Sequence, residues 1–345
     1  MRFPKTIVLE LTYRCNHKCL FCSCPWENDV ENFPKYEKGT ELNLAQWKQA
    51  LDMLANVGVK NVSLSGGEAL LKPELIDILK YIREKNILNK KTSIVLISNG
   101  LAMNEDFLAI FKKYNVHLSL SLPGLETFEK HTGHDNVKGV LHWLGRAKEE
   151  GIPTTVNVTV TNINYHELYE TIARGLISGA DTVLLNRFLI GGRGIKYREE
   201  LSLNKEQLNG MLDIAEIVLT KSKRWGSIGT EYPLCIISRG KKSYKRLSIG
   251  SLCAAATDFF VIDPSGFIRV CNHSPRKVGH IFDKDIITDK EYWNIFANRN
   301  YLPESCMGCK DIKSCDCGCR EVASIVTCSI SAKDPCLECM EHKEK

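Results

Sequence analysis

Cys15, Cys19 and Cys22 stand directly behind the apolar run 7–11 in the spacing C-x3-C-x2-C. Thiolates hold iron–sulfur clusters, and a four-iron cube normally takes four of them. Three thiols leave one iron without a protein ligand, open to a substrate or cofactor and suited to radical chemistry. Eleven of the fifteen cysteines lie between Cys235 and Cys339, and the other four lie between Cys15 and Cys24. Two separate metal-binding regions follow, because short, clustered spacings in a reducing compartment read as metal ligands rather than disulfides.

The elements that must position these thiols alternate short apolar runs with helical segments, a βα rhythm that favours a parallel sheet. Strands are expected over 6–11, 61–64, 93–97, 116–120, 155–160 and 182–188, and helical patterning runs over 44–57, 73–85, 105–113, 140–150 and 166–178. Six strands and five crossovers fit an open, partial (β/α)6 TIM barrel in the α/β class, with its active site at the C-terminal strand ends. The first cysteine group follows strand one, at that end. With 345 residues and 43% hydrophobic content, the chain can bury a large domain and a smaller one. The expected division is a barrel over 1–220, a basic bridge over 221–252 and a cysteine-rich domain over 253–345. The start lacks an apolar signal core, and nowhere do eighteen apolar residues run together, so a cytoplasmic protein with no membrane partner is expected. A net charge of +5 is too mild to argue for nucleic acid.

Strand two ends in Ser65-Gly66-Gly67-Glu68, where paired glycines let backbone approach a ligand and Glu68 offers an acceptor to a cation. Such a pair is also an ordinary tight turn. Placed after the three cysteines, it resembles the GGE motif of the radical SAM superfamily. That resemblance implies a cluster whose open iron chelates S-adenosylmethionine and passes it an electron, producing a 5'-deoxyadenosyl radical that abstracts hydrogen. It further implies that Phe21, Ser65, Gly66, Gly67, Glu68, Ser98, Asn99, Ser119 and Ser121 face that cofactor. Two places depart from the pattern: Pro123-Gly124 stands where Asp-Gly is common, and Thr132-Gly133 where an arginine aimed at the SAM carboxylate is expected. Arg193, in Gly191-Gly192-Arg193-Gly194, offers a replacement guanidinium for that carboxylate or is a solvent-exposed loop residue.

Further on, Cys253 is followed by twelve residues, Gly266, four more and Cys271, then by Cys306-x2-Cys309-x5-Cys315-x3-Cys319 and Cys336. This order resembles the SPASM domain, the extension of many radical SAM enzymes that carries two auxiliary clusters. The resemblance implies three [4Fe-4S] clusters in all. Cys306, Cys309, Cys315 and Cys336 would hold one auxiliary cluster, and Cys253, Cys271 and Cys319 the other, with Cys235 as its fourth ligand or one iron left open. Cys24, Cys317, Cys328 and Cys339 remain, as buried small hydrophobes, inert surface groups or a hydrogen-atom donor. A structural zinc site built from Cys306, Cys309, Cys336 and Cys339 is the alternative, and would make the protein a zinc-stabilised binding module.

The SPASM resemblance implies modification of a ribosomally made peptide or a protein side chain by crosslinking, dehydrogenation or epimerisation, with oxidation of a small molecule or porphyrin side chain as the alternative. Formylglycine formation in sulfatases is disfavoured, because Asn272 stands where those enzymes carry an aspartate base and a neutral amide accepts no proton. His273 beside it, with an ordinary pKa of about 6.5, is a base or a hydrogen-bond partner of the cluster. No winged leader-binding domain fits ahead of Cys15, so leader recognition is expected from another protein or another surface. The eight basic residues against one acid over 221–246 would attract an acidic leader or merely solvate a linker. An electron donor such as flavodoxin or ferredoxin completes the implied partners.

Overall fold

The computed structural model describes residues 3–84, 94–237 and 244–337. Strands β1 (Thr6–Glu10), β2 (Asn61–Ser65), β3 (Ile94–Ser98), β4 (Val116–Ser121), β5 (Thr154–Val160) and β6 (Thr182–Arg187) fall where the apolar runs predict them. All five neighbouring pairs are parallel. Residues 85 and 93, at the edges of two expected elements, lie outside the described residues.

The crossovers carry α1 (Leu44–Asn56), α2 (Leu75–Glu84), α3 (Glu105–Lys113), α4 (Phe128–Thr132), α5 (Val137–Glu149) and α6 (Leu168–Ser178). Helix α1 begins where the Asn43 side chain accepts from Gln46 N and the Gln46 side chain accepts from Asn43 N, which satisfies two otherwise orphaned donors. Its buried Trp47, Ala50, Leu51 and Leu54 recur at helical spacing and form the stripe that packs on the sheet. Then follow α7 (Arg198–Leu201) and α8 (Lys205–Ser222).

The stretch expected to be a bridge holds two short strands. β7 (Trp225–Ile228) pairs parallel with β6, and β8 (Leu247–Ser248) pairs parallel with β7. On the opposite side, β9 (Phe259–Ile262) pairs parallel with β1, and β10 (Phe267–Arg269) and β11 (Gly279–His280) continue antiparallel from it. One eleven-stranded sheet results, with β11 and β8 at its ends. The cysteine-rich region is thus built onto the barrel sheet at strand one, and α9 (Lys290–Ala297) and α10 (Arg320–Thr327) complete it.

Strand β5 shows how the sheet makes a site. Thr154, Val156, Val158 and Val160 are buried on one face, where Val156 packs so closely on α6 that a Cβ at Gly175 would come within 2.9 Å of it. The alternate residues carry polar groups inward, as the period of two requires. Thr155 bonds His117 at 2.7 Å and Thr182 at 2.8 Å, and Asn186 donates to Asn157 at 2.8 Å. The barrel interior is therefore a polar cavity rather than the apolar layers of a closed barrel. Among the described residues, no helix is long and apolar enough to cross a membrane.

Candidate active site and cysteine groups

At the C-terminal ends of the strands lies a cavity of about 380 Å³. Cys15, Cys19, Cys22 and Phe21 line it from the loop after β1, Ser65, Gly66, Gly67 and Glu68 from the loop after β2, and Ser98 and Asn99 from the end of β3. Ser121, Asn157, Asn186 and Arg187 add polar groups from β4 to β6, and Asn272 and His273 reach in from the cysteine-rich region.

The loop carrying the three cysteines is held by backbone. Gly67 N donates to Thr12 O and Glu68 N to Arg14 O, both at 2.8 Å. Gly66 sits at φ +132°, and a Cβ at Gly67 would stand 2.3 Å from Arg14 O. These glycines let the second loop pack against the cysteine loop itself, a requirement the expected approach to a ligand did not include. Glu68 is likewise a tie between loops: one carboxylate oxygen accepts Leu70 N and the other Asn99 N. Burial raises its pKa. Asn99 donates to Asn16 at 2.7 Å and lies 3.9 Å from the Cys15 sulfur, while His17 N donates to that sulfur at 3.4 Å. Such donors to a thiolate tune a cluster that it ligates.

The remaining expected cofactor contacts divide. Ser119 is buried, its hydroxyl has no partner, and it does not line the cavity. Arg193 pairs with Glu27 and donates to Cys19 O at 3.1 Å, so its guanidinium braces the cysteine loop and is not on the cavity wall. Burial pushes the Cys15 thiol up to about 11 and Cys19 well above its ordinary value. Cys22 is lowered by a hydrogen bond from Cys24, whose own thiol is raised. A ligated metal must therefore displace protons from this loop.

Two features on the cavity wall, Glu10 and Arg187, escaped the sequence reading. Glu10, at the end of β1, is buried in an ion pair with Arg269 and accepts from Asn272 at 3.0 Å, and burial raises its pKa against the pull of Arg269. Its only signal was a charge ending an apolar strand. Arg187, ending β6, pairs with Asp334 at 2.5 Å. Asp334 in turn accepts from Cys319 N at 2.7 Å and Cys336 N at 2.9 Å, linking two cysteine groups. His273 is lowered to about 4, first by burial and then by the Arg187 and Arg269 charges, and is neutral at pH 7.

Cys271 and Cys319 are buried and Cys253 is half-buried. Cys235 does not stand with them as the expected fourth ligand. It is exposed and lies beside Cys315, Cys306 and Cys309, because the turn after Tyr232 carries it outward and Leu234 N donates to the Cys315 sulfur. Cys317 is buried, and its backbone N–H donates to the Cys315 sulfur at 3.3 Å. Cys24 lines the cavity, Cys328 is exposed, and Cys339, needed for the zinc alternative, lies outside the described residues. Among the described residues, no three Cys, His, Asp or Glu donors are gathered to hold a single metal ion. Thiols arranged around a space fit a cube, which binds each ligand through a different iron.

Three thiols on one loop at the C-terminal edge of an open β/α barrel, facing a polar cavity, fit the three-ligand site of an open iron–sulfur cluster. Residues 9–174 match the family described as the Radical SAM superfamily, so the barrel carries a radical SAM domain. Its relatives include the PqqA peptide cyclases of Gluconobacter oxydans and Rhodopseudomonas palustris, each 27% identical over 348 residues, covering 96% of this chain and 90% and 86% of theirs. The fold matches Streptococcus suis SuiB bound to S-adenosylmethionine, with TM-score 0.71 at 18% identity over 96% of this chain and 76% of that one. It also matches anSMEcpe bound to AdoMet and a Cp18Cys peptide, with TM-score 0.71 at 16% identity over 98% and 94%.

Proposed function

We propose that this radical SAM enzyme modifies a ribosomally made peptide, by a crosslink, dehydrogenation or epimerisation. The observation that carries the reading is the shared wall of the cavity, where the loop of Cys15, Cys19 and Cys22 and the pair Asn272–His273 from the cysteine-rich region face one space. Support also comes from relatives named as peptide cyclases that align along 96% of the chain. In this reading residues 1–220 form the SAM-cleaving barrel, 221–252 the connection and 253–345 the region carrying two auxiliary [4Fe-4S] clusters. Cys15, Cys19 and Cys22 hold the SAM-binding cluster. Cys306, Cys309, Cys315 and Cys336 hold the outer auxiliary cluster, and Cys253, Cys271 and Cys319 the one nearer the barrel.

When bound, the cofactor and the cluster held by Cys15, Cys19 and Cys22 would supply radical hydrogen-abstraction chemistry, and the auxiliary clusters would take up the second electron of a two-electron oxidation. The chain's part is to place and shield. Asn99 and His17 N direct donors at the Cys15 sulfur. Ser65 and Ser121 would offer hydroxyls to the cofactor's polar groups, while the buried Ser98 hydroxyl accepts from Gly100 N at 3.0 Å and holds the Glu68 carboxylate. His273 borders the cavity as a neutral imidazole, and burial with the Arg187 and Arg269 charges makes it a weak base there. A reduced flavodoxin or ferredoxin would deliver the electron, and a separate leader-binding protein would present the peptide.

The test is anaerobic co-expression with a short peptide encoded beside this protein, read by mass in ordinary and heavy water. A loss of about two daltons, the mass of two hydrogens, supports crosslinking or dehydrogenation, and deuterium gain at constant mass in ordinary water supports epimerisation. No change with any such peptide overturns the reading in favour of a small molecule.

A further inference from the structure

Asn272 borders the cavity from the cysteine-rich region, and its side chain is held by the protein itself. Its Nδ2 donates to one Glu10 oxygen at 3.0 Å, and the other Glu10 oxygen pairs with Arg269. Arg269 is fully buried, lies over the rings of Trp26 and Tyr36, and donates to the carbonyls of Asn272 at 3.0 Å and Ser274 at 2.8 Å. Glu10 and Arg269 together thus fix both the side chain and the backbone of Asn272. A carboxylate beside a guanidinium is an acceptor only, so the amide must turn its nitrogen to Glu10 and its Oδ1 away. Among the described residues no donor reaches that oxygen.

The charges on the cavity wall are already matched. Glu10 has Arg269, Arg187 has Asp334, and Glu68 spends one oxygen on Leu70 N and the other on Asn99 N. The side chains left to meet a substrate are neutral, and burying an unmatched charge against them is costly. An amide oxygen suits an N–H, which every residue of a peptide except proline supplies. We infer that Asn272, aimed by Glu10, positions the substrate by accepting a hydrogen bond from the uncharged backbone N–H of the reacting residue. This rests on the peptide reading above and narrows it: the reacting residue lies inside the peptide, away from its charged N-terminus, and carries an uncharged side chain.

The test compares the parent with N272A, N272D and the swap E10Q/N272D, all full-length and reconstituted, on the peptide encoded beside this protein. The peptide is used in its natural form and with an ester replacing the amide N–H of the modified residue. KM, kcat and the 5'-deoxyadenosine released per modified peptide are measured, with iron content and urea midpoint reporting on folding. N272A and N272D should raise KM about tenfold, the worth of one neutral hydrogen bond, and release more 5'-deoxyadenosine per product. The ester should cost the parent a similar factor and N272A nothing further. The swap keeps an oxygen toward Arg269, an N–H between the two side chains and an oxygen toward the cavity, so it should recover most of what N272D loses. If N272A keeps the parent's KM and coupling, or loses as much on the ester as the parent does, Asn272 makes no such contact and the inference falls. A swap with parental iron and no recovery means that Glu10 does not aim Asn272, which also overturns it. A parent that modifies no peptide defeats the peptide reading, and this inference with it.

Discussion

Cys15, Cys19 and Cys22 occupy eight consecutive residues of one loop, whereas Cys253, Cys271 and Cys319 are drawn from across 67. The first group is held by short backbone bonds to the neighbouring β2 loop. The second is held by long-range buried charges: Arg269 joins β10 to Glu10 on β1, and Arg187 on β6 joins Asp334 near the end of the described chain. A site made of one loop is preorganised by local geometry. One assembled from distant elements exists only when the whole sheet is in place.

The sharpest separation comes from removing one group outright. C15A/C19A/C22A should abolish SAM cleavage while the iron bound by the cysteine-rich region persists, as iron analysis and 5'-deoxyadenosine assay would show. Loss of all iron would instead make the two regions one folding unit. Next, Asp334→Ala leaves Arg187 buried without its carboxylate and frees Cys319 N and Cys336 N. A cost of about 3–5 kcal/mol follows, read as a lower urea midpoint, with iron lost from the cysteine-rich region before the first site.

Gly67→Ala tests the local side. Its Cβ would meet Arg14 O at 2.3 Å, so the cysteine loop must shift at a cost of about 1–3 kcal/mol. Iron and SAM binding at the first site should fall while the auxiliary signals stay. The smallest effect concerns acid. Buried His131, hydrogen-bonded to Thr161 at 2.9 Å, is lowered from 6.5 to about 4, chiefly by burial. The folded state therefore favours the neutral ring, and the stability this carries is full above pH 6.5 and lost as pH falls toward 4. Denaturation midpoints between pH 8 and 5 should fall less steeply in His131→Gln than in the parent.

The fold was legible wherever hydrophobic period and length agreed. β1 to β6 emerge from apolar runs, and α1 from its apolar stripe. β7 and β8 were hidden because Trp225-Gly226-Ser227-Ile228 and Leu247-Ser248 are too short and too polar to differ from a loop. In the site, cysteine spacing identified thiols because a local loop has a fixed reach. The partners of Arg193 and Glu68 within the chain had no sequence signal, since composition cannot say that Glu27, Leu70 N and Asn99 N reach them. Arg187 and Asp334 have no spacing rule at all, because they meet only through tertiary packing.

The pairing of β9 with β1 also sets a schedule. Thr6 lies beside Phe259, so one edge of the first strand waits for more than two hundred further residues to leave the ribosome, about 10–50 s at roughly 5–20 residues per second. During that interval an apolar strand with open hydrogen-bonding groups adjoins a loop of unligated thiols, the kind of edge that invites mispairing. Slower synthesis would lengthen the exposure, and a chain cut before residue 259 would never end it. The yield of soluble protein should therefore depend on translation rate and holdase chaperones more than on iron supply.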